Sequence, residues 1–335
     1  MEVPEEYPSQ SEHGLSHWRR WCRRIGCVLV GIAVFGLCVG QAGQHVWYLS
    51  ALVHWAPAYL AFGIGGGACC FLGGGRRWAL AGGICAAAAL GLVLVYGAPA
   101  RSQETAGMAP NLRILQANVW YDRGNPNDLI ALVRETDPDL VLLQEADARW
   151  REALAPLEDD YPIHAIIPRY PKGDPALGMY SRIPTGPFKR LAEEGIPAVE
   201  FSIEVAARQV QLLNIHMASP WSPGRARRHK AQLKALARYL AEKAGNKASP
   251  LILTGDLNSS YYAPLYRMLI RKSGLNGSQM AWGLLGTWPS FLPPPLRIAL
   301  DHTLVTPGIQ IVNCRIGAGV GSDHKPLIVD LYVPE

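Results

Sequence analysis

The chain has 335 residues, of which 18% are charged and 49% hydrophobic, with a net charge of +5. Residues 1–100 hold only six basic and four acidic side chains, and residues 101–335 hold the other 26 and 23. This split excludes a disordered chain, a disulfide-stapled mini-protein and an ordinary all-soluble enzyme, and a net +3 on the second part lacks the strong basic footprint of a dedicated nucleic-acid binder.

Three apolar runs open the chain: Ile25 to Gly43, Val46 to Leu72 and Trp78 to Ala98. About 20 apolar residues cross a hydrocarbon core, so three transmembrane helices are expected within residues 25–98. A cleaved leader over residues 15–43 fits the run less well, because it is long for a signal core and two more runs follow. Arg19, Arg20, Arg23 and Arg24 precede the first helix, Arg76 and Arg77 separate the second from the third, and Gln41–His45 has no Lys or Arg. The positive-inside rule then places residues 1–24 and the Arg76–Arg77 turn in the cytoplasm. The expected location is a multi-pass protein of the cell membrane with everything after Ala98 outside. Residues 99–110 read as a tether, and residues 111–335 as a globular domain. Six of seven cysteines lie in the apolar part and no C-x-x-C pair occurs, so neither an internal disulfide in the globular part nor a structural zinc site is expected.

In the globular part, strands are expected at Leu112–Val119, Leu140–Gln144, Leu177–Ser181, Ala198–Val205, Gln209–His216, Leu251–Thr254, Ala299–Val305 and Leu327–Val333. Helices are expected at Pro126–Glu135, Ala148–Leu157 and Pro223–Lys243. Alternation gives way to consecutive strands, which predicts a mixed α/β fold with stacked sheets.

Polar residues gather where these strands end. The segments are Gln116-Ala117-Asn118, Leu143-Gln144-Glu145, Asn214-Ile215-His216, Thr254-Gly255-Asp256-Leu257-Asn258, Leu300-Asp301-His302 and Gly321-Ser322-Asp323-His324-Lys325-Pro326. Each alone is a weak signal. Together and in this order they closely resemble the endonuclease/exonuclease/phosphatase superfamily, over about residues 111–335. The resemblance implies a four-layer α/β sandwich, two central mixed β-sheets flanked by helices, here preceded by three transmembrane helices. It also implies metal-dependent cleavage of phosphoester bonds. Mg²⁺, with Mn²⁺ as a substitute, prefers oxygen ligands, and Asn118, Glu145 and Asp323 match positions that line the metal site. His216 and His324 match two active-site histidines, and Asp301 matches the carboxylate that buttresses the second. Asp256 matches the residue that aligns or deprotonates water, and Asn258 an amide that holds a phosphate oxygen. The identity of the general base stays open.

The neighbours read as structural. His302 should point to the face opposite Asp301, Asp147 should cap a helix or face solvent, and Tyr180 should lie in the core. Trp120 stands where some nucleases of the family carry an Asp ligand, which makes an extra ligand there doubtful. The basic residues from Arg225 to Arg238 could meet anionic head groups, or form a plain solvated helix face. Pro220–Pro223 and Trp288–Leu296 carry Trp and Phe beside the motifs; they could sit in a membrane interface, or pack on the domain itself.

Three N-terminal helices followed by such a domain are similar to the bacterial membrane phosphatases associated with teicoplanin resistance. That similarity implies a membrane lipid or lipid-linked diphosphate substrate, undecaprenyl diphosphate in particular. A membrane-bound nuclease acting on nucleic acid, a phospholipase C-type enzyme, and a binding module with a degenerate site are the alternatives. No obligate protein partner is evident.

Overall fold

The computed structural model describes residues 10–42, 46, 49, 51–97, 108–168, 176–245, 250–278 and 286–335. The chain divides into two compact units, residues 1–95 and 96–335. Most of the expected tether, 99–110, lies outside the described residues, as does much of the start of the second apolar run.

The first unit holds three helices long and apolar enough to cross a membrane. They are α1 (Gln10–Ala42), α2 (Ala56–Leu72, entered through a 3-10 turn at Ala51–Trp55) and α3 (Arg76–Tyr96). α1 starts ahead of the expected span and carries the basic cluster Arg19–Arg24 as helix. Small residues let α1 and α2 approach closely: a Cβ on Gly26 would lie 2.6 Å from the Gly66 carbonyl oxygen. Large side chains point the other way, with Ile64, Phe71, Leu80, Ile84 and Val95 exposed.

The second unit contains two six-stranded mixed sheets. The first uses β1 (Leu112–Asn118), β2 (Leu140–Ala146), β3 (Ile163–Pro168), β4 (Ala176–Ser181), β11 (Gln310–Ile316) and β12 (Leu327–Tyr332) in the order β11-β12-β1-β2-β4-β3. The second uses β5 (Lys189–Arg190), β6 (Ala198–Val205), β7 (Arg208–His216), β8 (Leu251–Asp256), β9 (Asn276–Gly277) and β10 (Asp301–Val305) in the order β5-β6-β7-β8-β10-β9. Each sheet has one parallel pair at its centre, β1 with β2 and β7 with β8.

Alternation along the strands builds the layers. Ile114, Leu140 and Leu142 pack between the sheets with Phe201, Ile203, Leu212 and Ile252. The intervening Leu115, Val141 and Leu143 face outward onto α4 (Pro126–Thr136) and α5 (Ala148–Ala153), where Leu129, Val133 and Trp150 are buried. α6 (Pro223–Gly245) and α7 (Pro264–Ser273) pack together, with Leu233, Leu236, Leu240 and Leu269 buried. This is the expected four-layer arrangement. The strands β3, β5, β9 and β11 and the helix α7 were not among the expected elements.

Candidate active site

The sequence motifs meet at one end of the two sheets. Asn118 ends β1, Glu145 lies near the end of β2, His216 ends β7, Asp256 ends β8 and Asp301 opens β10. His324 comes from the loop ahead of β12. Parallel pairs bring motif ends together directly: Asn118 lies opposite Gln144, and His216 opposite Asp256.

Local backbone shapes aim these groups. The β2–β4 register shifts between Leu143 and Ala146, and within that bulge Glu145 has φ +59°. A bulge re-aims a side chain, and a left-handed backbone on a glutamate is strain held by its surroundings. Gly255 has φ +138°, and a Cβ there would lie 2.0 Å from the Ile215 carbonyl oxygen. Only glycine satisfies that approach, so β8 can deliver Asp256 beside His216.

Asp256 Oδ2 is the focus. Asn118 Nδ2 donates to it at 3.1 Å and Asn258 Nδ2 at 3.0 Å. His216 Nε2 stands 3.6 Å away and His324 Nε2 3.8 Å. Its other oxygen accepts from the Asn258 backbone N–H at 2.8 Å. Asn118 Nδ2 also reaches Glu145 Oε1 at 3.2 Å, and His216 Nε2 lies 3.4 Å from that oxygen. The structure therefore gathers Asn118, Glu145, His216, Asp256 and Asn258. Asp323 turns its carboxylate to the Trp288 indole, whose Nε1–H donates to Oδ2 at 3.0 Å.

A second group holds His324. Its Nδ1 lies 2.8 Å from Asp301 Oδ2, and since a carboxylate only accepts, Nδ1 carries the proton. Thr287 Oγ1 donates to the same oxygen at 2.5 Å, and Gln116 Nε2 to Asp301 Oδ1 at 2.8 Å. Gln116 Nε2 also reaches Gln144 Oε1 at 2.5 Å, Gln144 Nε2 donates to Asn214 Oδ1 at 2.7 Å, and Asn214 Nδ2 donates to the Leu143 and Gly178 carbonyls. This buried amide chain ties the sheets together directly behind the site. Thr287 and Trp288 carried no motif in the sequence. Gln116, Gln144 and Asn214 stood inside the motifs but had no role assigned.

Electrostatics follow from burial. Asp256 is 1% exposed. Desolvation, helped by the Asp301 and Glu145 charges and opposed by His324, raises its pKa to about 7. Burial pushes Asp301 the same way, but the His324 charge and hydrogen bonds from His324, Thr287 and Gln116 outweigh it and lower its pKa. Burial alone would lower His324; the Asp301 and Asp256 carboxylates reverse this and raise it to about 10. His324 is thus an imidazolium at neutral pH, with Nε2–H turned to the cluster.

The neighbours fall where they were expected. His302 is fully buried on the opposite face, Nε2 2.8 Å from the Ser259 carbonyl, packed on Tyr261 and Tyr266. Asp147 caps α5 by accepting from the Trp150 N–H. Tyr180 is buried in the outer core. The Trp120 backbone N–H donates to Asn118 Oδ1 at 3.1 Å.

The donor set fits a hard divalent cation. Asp256, Asp301 and His324 bring polar atoms all within 4.8 Å of one another; with His324 an imidazolium, the carboxylates are the ones with lone pairs to offer. Glu145 adds a carboxylate oxygen beside Asp256, and the Asn118 Nδ2 donates to both carboxylates while its Oδ1 accepts from the Trp120 N–H. Burial first, and the neighbouring carboxylates second, make Asp256 resist ionisation; a cation among them would favour its charged form.

A model of the Endonuclease/Exonuclease/phosphatase family matches residues 115–324, which include every site residue named above, from Asn118 to His324. The chain belongs to that family. It is a hydrolase acting on phosphoester bonds in a divalent-metal-dependent family. A family member from Bacteroides thetaiotaomicron has 16% identity and a TM-score of 0.52, covering 68% of this chain and 100% of that chain. A functionally unknown conserved protein from Enterococcus faecalis V583 has 18% identity and a TM-score of 0.51, covering 67% and 100%. The endonuclease/exonuclease/phosphatase from Bacteroides vulgatus has 17% identity and a TM-score of 0.50, covering 67% and 99%. At such identities the likeness is one of fold. No curated protein matches the chain.

Proposed function

We propose that this hydrolase removes the terminal phosphate from an isoprenoid diphosphate, undecaprenyl diphosphate, outside the cell membrane. The observation that carries this reading is a phosphoester-cleaving unit on a chain with three membrane-length helices. Basic residues ahead of the first helix and between the second and third orient the catalytic unit outward. A lipid-linked substrate then reaches the site from the bilayer, whereas intracellular nucleic acid does not. The similarity to membrane phosphatases associated with teicoplanin resistance supports the same reading.

Glu145 and Asn118, beside Asp256, together with Asp323 from the loop that carries His324, would hold Mg²⁺ or Mn²⁺, and the bound ion would supply positive charge that offsets charge on the phosphoryl oxygens. Asp256 aligns a water molecule and accepts its proton. The water oxygen attacks the terminal phosphorus while the bond from phosphorus to the bridging oxygen breaks. The lipid monophosphate leaves with that bond's electrons, and orthophosphate is the other product. His324, held protonated and oriented by Asp301, donates Nε2–H to a phosphoryl oxygen. His216 and Asn258 flank Asp256 and bind further phosphoryl oxygens.

The test is orthophosphate release from undecaprenyl diphosphate by the full-length protein in detergent with Mg²⁺, beside Glu145→Ala. Release that the variant lacks is expected. Folded protein that releases none, yet shortens oligonucleotides or frees diacylglycerol from phospholipid, overturns the reading in favour of the nuclease or phospholipase C-type activity. An alkaline-phosphatase fusion after Glu335 tests orientation and should be active.

A further inference from the structure

Two large apolar residues of the catalytic unit stand out in water. Trp221 is 64% exposed and Phe291 79%, the highest values among its described large hydrophobic side chains. They belong to the two loops that rim the site. The Trp221 ring packs on Trp288 with centroids 5.5 Å apart. Phe291 sits in the turn closed by Leu292 N–H to the Pro289 carbonyl, followed by exposed Pro293 and Pro294. This ledge is fastened to the catalytic loop. Trp288 Nε1 donates to Asp323, the Ser290 N–H to the Asp323 carbonyl at 2.7 Å, and Ser290 Oγ to the Ser322 carbonyl at 2.7 Å. At the other loop, the Met217 N–H donates to the Asp256 carbonyl at 2.9 Å.

Charge follows the Trp221 side of the ledge directly along the chain. Exposed Arg225, Arg227, Arg228 and Lys230 follow Trp221 on the first turns of α6, which carry no acidic residue. Among the described ion pairs none involves these four. Cations at a helix N-terminus oppose the helix dipole, so this placement works against the helix itself. Water-exposed aromatics beside unneutralised cations match one environment, the head-group and acyl boundary of an anionic leaflet, where Trp and Phe insert and Arg and Lys meet phosphate.

We propose that the Trp221–Trp288–Phe291 ledge, with Arg225, Arg227 and Arg228, docks the rim of the active site onto the anionic outer surface of the bilayer in which this chain is anchored. The docking follows from the ledge and its charge. Its use for catalysis rests on the lipid-diphosphate reading above: the isoprenoid chain stays in the leaflet while its head group enters the site.

The test uses the full chain in nanodiscs of phosphatidylcholine with or without about one-third phosphatidylglycerol. An environment-sensitive fluorescent amino acid replaces Phe291 in one protein and Glu204, exposed near the hairpin end of the β6–β7 ladder away from His216, in another. At 291 the emission should shift to the blue and be quenched by lipids brominated near the carbonyl, at least about threefold more than at 204. Arg225→Glu with Arg227→Glu and Arg228→Glu should abolish the gain that phosphatidylglycerol brings. Equal quenching at 291 and 204 overturns the docking whatever the substrate proves to be. If orthophosphate release is found, Trp221→Ser with Phe291→Ser should lower kcat/KM about tenfold for a long-chain diphosphate in nanodiscs. The same pair should leave a short, water-soluble diphosphate unchanged. An equal loss on both substrates overturns the docking role by showing damage to the site. A failed phosphate assay with position-specific quenching leaves the docking standing and sinks only the substrate.

Discussion

The two units of this chain are packed by opposite rules. In the N-terminal helices many small residues are buried and many large ones exposed: Ala33, Cys70 and Ala89 lie inside with Tyr59 and Val93, while Phe71, Leu80 and Val95 are exposed. In the catalytic unit large aliphatics face inward and polar residues gather at one end of the sheets. The contrast teaches which solvent each unit was selected for. Where lipid surrounds a helix, exposing Leu costs nothing and close backbone contact supplies the attraction. Where water surrounds a sandwich, apolar burial supplies it and leaves a few residues free to be buried, polar and strained.

The largest expected effect comes from the buried focus. Asp256→Asn should keep the fold and reduce turnover about 10³-fold, measured as phosphate release per folded protein. Loss of less than tenfold would break the assignment of Asp256. Next, Gly255→Val should destabilise the catalytic unit by about 4 kcal/mol in denaturant melts, because a Cβ has no room beside Ile215. A pH effect follows from His302, whose burial lowers its pKa to about 4 from an ordinary 6.5. Between those values the unfolded chain binds the proton that the folded one refuses. The contribution is therefore full above about pH 6.5 and lost as pH falls toward 4, on the order of 3 kcal/mol. His302→Gln should flatten that part of the stability profile. Gln116→Leu should lower kcat about tenfold at nearly unchanged KM, since it loosens Asp301 without touching substrate; Gln116→Glu, which keeps the side-chain length but replaces the amide donor with a carboxylate beside Asp301, should not restore it. The smallest effect, about 1–2 kcal/mol, is expected for Gly26→Val, read as weaker thermal stability of the helical unit at unchanged hydrolysis of a soluble substrate.

Much of this was legible in the sequence. Strands with alternating or continuous apolar residues, such as Leu140–Ala146 and Ala198–Val205, announced themselves, and the period of two separated Asp301 from His302 correctly. β3 and β11 did not, because their residues are mostly half-exposed and mixed in character. α7 carried usable signals, Pro264 at its start and Gly274 in a left-handed cap, but no side-chain cap to mark its entry. Five of the six motifs were legible because they sit at strand ends, and the sixth occupies the loop just ahead of β12. Their supports were invisible for a different reason: Thr287 and Gln116 meet Asp301 across 14 and 185 residues of chain, and only the closed sandwich brings them together.

The bonds that organise the site run from one sheet to the other: Asn118 to Asp256, Gln116 to Asp301, Gln144 to Asn214 and His324 to Asp301. The first sheet, moreover, closes late. β12 inserts beside β1 only after the whole second sheet has been made, and His324 arrives just ahead of it. A nascent chain emerging from its N-terminus therefore carries all the other site residues before Asp323 and His324 have been made. The site is whole only once β12 stands beside β1, so the residues that do the work are made well before the site that uses them is assembled.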